Sequence, residues 1–266
     1  MYKLGWFSTG RGEGSRGLLE KTVAAMRTGY LPAEVAFVLC NRDPGEHQGS
    51  DAFMRLVKDY GFPLICLSSS RFRQGLGQDP EWRVKYDREV MKRLEGRVFD
   101  LGVLAGYMLI VGPEMCHRYP LLNLHPAAPA GPMGTWQEVI WQLVERRASL
   151  SGVKMHLATE ELDQGPAVSF CTFPITGEVF QPHWQSCSSQ PVEELKARYG
   201  EELPLFKLIR QQGMMRERPL FVETLKYLVE GKIVLRNGKV YDAEGRPAQG
   251  YDLTQRIEDV LRHGDV

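Results

Sequence analysis

Short apolar runs and helix-period segments alternate throughout residues 1–170. Tyr2 to Ser8 is short and apolar and reads as a strand. Leu18, Leu19, Val23 and Met26 then share one helical face. Glu34–Cys40 reads as the second strand, Asp51–Tyr60 as a helix and Pro63–Leu67 as the third strand. Ser68 to Asp79 reads as a polar loop. Asp79-Pro80-Glu81 then supplies an N-cap, a proline at the first helical position and an acid in the first turn. This predicts a helix to about Leu94, with Trp82, Tyr86, Val90 and Leu94 as its core stripe. Leu101–Ala105 is apolar throughout, as a strand covered on both faces should be. The alternation predicts an α/β fold with a mostly parallel sheet flanked by helices. Ligands of such sheets sit beyond the carboxyl ends of the strands.

The loop after the first strand is such an end. Thr9 to Gly17 holds Gly10, Gly12, Gly14 and Gly17 together with Arg11 and Arg16. Glycines let the backbone approach a ligand, and a helix N-terminus presents unpaired N–H groups, so the loop suits a phosphate. A tight turn with no ligand is the plainer alternative, and the two arginines weigh against it. Gly12, Gly14 and Gly17 also fit a dinucleotide fingerprint. That fold needs an acid at the end of the second strand, where this chain has Asn41-Arg42. The missing carboxylate argues against NAD, and Arg42 leaves NADP barely open.

A second strand end carries chemistry. Leu121 to Leu124 fits a buried strand that Pro126 cannot continue. Asn123 and His125 are two residues apart and share a face. Asp163 arrives from a separate loop. Amide, imidazole and carboxylate suit acyl transfer: the amide stabilises an oxyanion, the imidazole moves protons and the carboxylate orients the imidazole or raises its pKa. Spacing alone slightly favours a simpler reading, a strand-end histidine hydrogen-bonded to a neighbour.

Asn123-Leu124-His125-Pro126 followed by Asp163-Gln164-Gly165-Pro166 resembles the signature of the folate-dependent formyltransferases, in particular those acting on glycinamide ribonucleotide. Asp100 to Met108, the Gly-rich loop and Gln249-Gly250-Tyr251 extend the resemblance, which covers about residues 1–170. It implies a Rossmann-like formyltransferase sheet and 10-formyltetrahydrofolate as co-substrate. It implies catalysis by Asn123, His125 and Asp163, and folate contacts from Met108, Leu109, Ile110, Val111, Ala158, Glu160 and Glu161. It further implies that Gly14, Ser15 and Arg16 hold the phosphate of an amine substrate, with phosphoribosylglycinamide the best guess. His156 aligns with a histidine often present in the family, and a structural role on its strand fits equally well.

The chain departs from the family pattern in four places. Arg16 stands where asparagine is usual, and Leu109 where a basic residue is common. Ala127-Ala128-Pro129 replaces Ser-Leu-Leu-Pro, and Gly213-Met214-Met215 replaces a Gln-Glu-His run. The last change favours a different amine, such as a nucleotide-linked amino sugar, as the alternative. Formyltetrahydrofolate hydrolysis is a further alternative. Such hydrolases usually carry an extra N-terminal domain, whereas this chain opens on its first strand.

Lys+Arg and Asp+Glu both number 33, so the net charge is zero, and a nucleic-acid partner is not expected. The five cysteines form no C-x-x-C pair and read as free buried thiols. A zinc site from Cys171, His183 and Cys187 has poor spacing, and no metal is expected. The first residues lack a signal-peptide h-region and no run is long enough to span a bilayer, so a cytoplasmic protein, monomer or homodimer, is expected.

Further along, Gly134-Thr135-Trp136-Gln137 opens an amphipathic helix. Ser151–Leu157 and Ala167–Phe173 read as strands. Gln181 to Pro191 reads as a polar loop, and Val192–Tyr199, Leu203–Gln212 and Pro219–Glu230 read as helices. Asn237-Gly238 reads as a hairpin turn. The expected organisation is a catalytic domain over 1–176, with 177–266 a helical extension and hairpin packed on it.

Overall fold

A computed structural model describes residues 1–188 and 190–264. Ser189, within the polar run 181–191, lies outside the described residues. In chain order the elements are β1 (Tyr2–Ser8), α1 (Glu13–Arg27), β2 (Ala33–Cys40), α2 (Gln48–Asp59), β3 (Leu64–Cys66), α3 (Ser69–Gly75), α4 (Trp82–Arg93), β4 (Leu101–Leu104), α5 (Pro113–Arg118) and β5 (Leu121–His125). They continue with α6 (Trp136–Glu145), β6 (Leu150–Leu157), β7 (Ala167–Pro174), α7 (Gln181–Ser186), α8 (Val192–Tyr199), α9 (Pro204–Val229), β8 (Ile233–Arg236), β9 (Lys239–Asp242), β10 (Tyr251–Asp252) and α10 (Thr254–His263). The strands lie in the order β5-β4-β1-β2-β3 in a first unit, and β10 neighbours β7 in a second.

The chain divides into two compact units. The first comprises Met1–Asn123, His156–Pro166 and Leu225–Ala248. Its strands β3, β2, β1, β4 and β5 are parallel neighbours, as the alternation predicted. Phe7, Phe37, Leu39, Tyr86, Val90, Leu94, Leu104 and Leu121 form one buried cluster. The α4 stripe is thus core, although Trp82 at its start is only partly buried. Asp79 Oδ1 accepts from the Glu81 amide at 2.8 Å. The aspartate therefore forms a turn, and α4 begins at Trp82 rather than at Pro80. The hairpin β8–β9 closes on Asn237 (φ 49°) and Gly238 (φ 70°), the two left-handed residues of a type I′ turn.

The second unit comprises Leu124–Met155, Ala167–Thr224 and residues 249 onward. Thr135 caps α6 in a capping box with Glu138. Strand β10 pairs in parallel with β7.

Four segments differ from the sequence reading. The polar run 68–79 contains α3, because Ser68 caps it by accepting from the Arg71 amide at 3.1 Å. The polar run 181–191 contains α7, anchored where Trp184 Nε1 donates to the Ile175 carbonyl at 2.6 Å. The segments Leu203–Gln212 and Pro219–Glu230 are one helix, α9, with Pro219 inside it. Buried Leu205, Phe206 and Ile209 before the proline, and Leu220, Phe221 and Val222 after it, hold both halves in place, which outweighs the missing backbone donor. Helices α5 and α10 were not anticipated. Among the described residues no helix is long and apolar enough to cross a membrane.

Candidate active site

The first unit carries a recess walled by the loop after β4. That loop is fastened at both ends. Thr9 N donates to Gly106 O at 3.0 Å, and Met108 N donates to Thr9 Oγ1 at 2.9 Å. Gly106 is left-handed (φ +69°), and a Cβ there would meet Ser15 Oγ at 2.2 Å, so glycine is required. At the other end Gly112 N donates to Asp87 Oδ2 at 2.6 Å. Leu109, Ile110 and Val111 between these ties line the recess with Leu104 and Tyr107.

Asp87 projects from mid-α4 and is buried. Burial pushes its carboxyl up to about 6; the Gly112 amide and Arg83 act in the opposite sense, and Glu114 adds to the rise. This gives a pH prediction. The carboxyl's folded-state pKa lies above its value in the unfolded chain, so its contribution to stability is full below about pH 4 and is lost as pH rises to about 6. Asp87→Asn keeps an acceptor for Gly112 and removes the buried charge. The difference in stability between wild type and this variant should therefore change by about 3 kcal/mol across that window, in the variant's favour at neutral pH. Urea unfolding between pH 4 and 7.5 measures it, and a difference independent of pH would refute the assignment.

The polar end of the recess is formed by Asn123, His156 and Asp163. Asn123 lies on β5, in register with Leu104 of β4. Asn123 Nδ2 lies 3.1 Å from His156 Nε2, and Asp163 Oδ1 lies 3.6 Å from the same nitrogen. His156 Nδ1 lies 3.0 Å from the Leu157 carbonyl, which can only accept, so Nδ1 carries a proton. In the neutral ring Nε2 is then the acceptor for Asn123. One Nδ2 proton of Asn123 is used there, and the other has no protein partner among the described residues.

Asp163 reaches the recess from a tightly folded loop. Leu157 N donates to Pro166 O at 3.1 Å and Ala158 N to Leu121 O at 2.8 Å, which pins both ends. Asp163 itself is left-handed (φ 57°) and buried. Such a backbone is uncommon outside glycine, although aspartate and asparagine tolerate it best.

Of the residues assigned from sequence, Asn123 and Asp163 meet here, and His156, considered as readily structural, stands between them. His125 belongs to the second unit. It is buried, with Nε2 3.0 Å from the Pro132 carbonyl. Leu109, Ile110, Val111 and Ala158 line the recess, whereas Met108, Glu160 and Glu161 are not among its lining residues. Thr159 and Leu162 line it unanticipated; Leu162 falls between acids and shows no periodicity that would have marked it. The recess measures about 90 Å³. That is well below the roughly 300 Å³ of a small-molecule pocket, so it has room for only the reacting end of a ligand.

The Gly-rich loop leads into α1. Its N-cap, Gly12, makes no side-chain cap, so first-turn N–H groups remain for a ligand. Arg16 lines an adjoining cleft of about 460 Å³ with Arg11, Gly12, Glu13 and His47. Gly14 is exposed and is not among the residues lining that cleft. Ser15 places its hydroxyl against Gly106 instead. The cysteines are unbridged: Cys40, Cys171 and Cys187 are buried and Cys66 and Cys116 partly so. Burial pushes the Cys40 and Cys171 thiols up to about 12.

The sequence model of the formyl transferase family matches residues 11–179. The chain belongs to the formyl transferase family. Among its relatives, phosphoribosylglycinamide formyltransferase of Haemophilus influenzae is 26% identical over 240 residues, covering 88% of this chain and 92% of its own length. Formyltetrahydrofolate deformylase of the same species is 27% identical over 142 residues, covering 53% of this chain and 44% of its own. Among solved structures, phosphoribosylglycinamide formyltransferase of Coxiella burnetii aligns with a TM-score of 0.67 at 18% identity, covering 94% of this chain and 98% of that one. That identity speaks to the fold, and it agrees with the parallel sheet predicted from the alternating sequence. As a formyl transferase the chain is an enzyme.

Proposed function

We propose that the protein transfers the formyl group of 10-formyltetrahydrofolate to the amine of a phosphorylated small molecule, with phosphoribosylglycinamide the best-supported acceptor. The observation that carries this reading is the Asn123–His156–Asp163 cluster at the polar end of an apolar-walled recess. The long alignment with a phosphoribosylglycinamide formyltransferase supports the choice of acceptor.

The amine lone pair attacks the formyl carbon and the carbonyl oxygen becomes an oxyanion. The second Nδ2 proton of Asn123 meets that charge, with the amide held in orientation by His156. The intermediate collapses, the bond from carbon to the folate nitrogen breaks, and a proton passes from the incoming to the departing nitrogen. His125, assigned from the Asn123-Leu124-His125-Pro126 motif, is the proposed carrier of that proton. Asp163, at the polar end of the same recess, is the proposed carboxylate partner of that proton transfer. The first-turn amides of α1 and Arg16 take the acceptor's phosphate.

The test is release of tetrahydrofolate from 10-formyltetrahydrofolate with and without phosphoribosylglycinamide. Release that requires the amine is expected. Release without any amine would replace this reading with hydrolysis, which the deformylase relatives favour as the second one. Release with neither would overturn both.

A further inference from the structure

Beyond the Gly-rich loop, the strand ends of the first unit hold a second basic cleft that the formyl chemistry does not use. It measures about 420 Å³ and is lined by Arg11, Arg42, His47, Ser70, Arg71 and Gln74, with one carboxylate, Glu46, which pairs with Arg71. It shares Arg11 and His47 with the cleft that contains Arg16. The two are therefore adjacent stations along the carboxyl ends of β1, β2 and β3, where ligands of parallel sheets bind.

The charges here are unevenly neutralised. Arg71 is paired with Asp43 at 3.3 Å and with Glu46 at 3.1 Å, which fixes its side chain. Arg42, two residues past the end of β2, is half-buried and among the described residues donates to two hydroxyls, Ser70 Oγ at 2.8 Å and Ser69 Oγ at 3.3 Å. Among the described residues neither Arg42 nor Arg11 has a carboxylate within ion-pair distance. A half-buried guanidinium held by two neutral hydroxyls is positioned without being neutralised, which leaves its charge for a ligand. His47 adds a donor. Its Nδ1 accepts from Gly49 N at 3.0 Å to cap α2, so the neutral ring carries its proton on Nε2.

We infer that this cleft is a further anion subsite that binds a second phosphoryl group, so that the two clefts together accept a diphosphate as well as the single phosphate of the proposed acceptor. One phosphoryl lies at the Arg16 end and the other at Arg42, with Arg11 serving both. The inference does not rest on which amine accepts the formyl group.

The experiment is calorimetric titration of the wild-type protein with inorganic pyrophosphate and with orthophosphate at fixed ionic strength. Pyrophosphate should bind about 10- to 100-fold more tightly, as one added charge-assisted contact gives. Arg42→Ala should bring pyrophosphate down to the orthophosphate level and leave orthophosphate binding unchanged. Arg11→Ala, at an exposed position that tolerates replacement, should weaken both. Equal affinity of wild type for the two anions overturns the inference, as does an Arg42→Ala protein that still prefers pyrophosphate. An Arg11→Ala protein that binds both anions like wild type overturns it too. Amine-dependent turnover with phosphoribosylglycinamide alongside equal anion affinities would remove only this second site. A preference for pyrophosphate without such turnover would support it while removing the proposed acceptor.

Discussion

Replacing Asp163 with asparagine is expected to lower kcat about 100- to 10,000-fold, the range for loss of a group that supports proton transfer. The variant should nevertheless unfold at the same temperature as wild type or above it. Asparagine accepts the left-handed backbone that Asp163 adopts, so the loop has no reason to move. Burying a carboxylate charge costs stability, and asparagine removes that charge. The replacement therefore separates chemistry from folding. Steady-state kinetics and a thermal melt on the same preparation measure the pair. An unchanged kcat would exclude Asp163 from the reaction. A large fall in melting temperature would assign the lost activity to the fold.

The second large effect is expected two residues later. Gly165 packs against the backbone of Leu157: an added Cβ would lie 1.7 Å from its carbonyl oxygen. The neighbouring Leu157–Pro166 hydrogen bond at 3.1 Å prevents the strand from giving way. Gly165→Ala should destabilise the protein by about 3 kcal/mol, the upper end of the usual overpacking range. It should also lower kcat in the protein that remains folded, because the loop that moves is the one carrying Asp163. Denaturant unfolding with kinetics at low temperature tests both. A variant with wild-type stability would show that the loop is not pinned there.

Much of the fold was legible because its signals are local. Tyr2–Ser8 is bounded by glycine-rich sequence, and Val192–Tyr199 by Pro191 and Gly200, and the structure has these bounds. Asn237-Gly238 carries its own turn chemistry. What was not legible depended on distant partners. Helix α7 is tethered by a tryptophan bonded to a carbonyl nine residues back. Helix α9 runs through Pro219 because apolar side chains on both sides of it are buried. The site divides in the same way. Asn123 and Asp163 stand in recognisable motifs. His156 sits in an apolar strand, where its neighbours suggest only burial. Asp87 lies in a helix among polar residues, and its bond to Gly112 spans 25 residues of sequence.

The first unit is assembled from three separate stretches of chain, and this sets an order of events on the ribosome. The opening 123 residues already contain the Gly-rich loop, the loop after β4 and Asn123. His156 and Asp163 come with the second stretch, after 32 intervening residues that belong to the other unit. At about 5–20 residues per second, the nascent chain passes through an interval in which the β4 side of the recess, Leu104 to Val111, has been made and two of its three polar groups have not. On the proposed mechanism, a chain terminated within that interval carries the β4 side of the recess without His156 and Asp163 and is expected to be inactive.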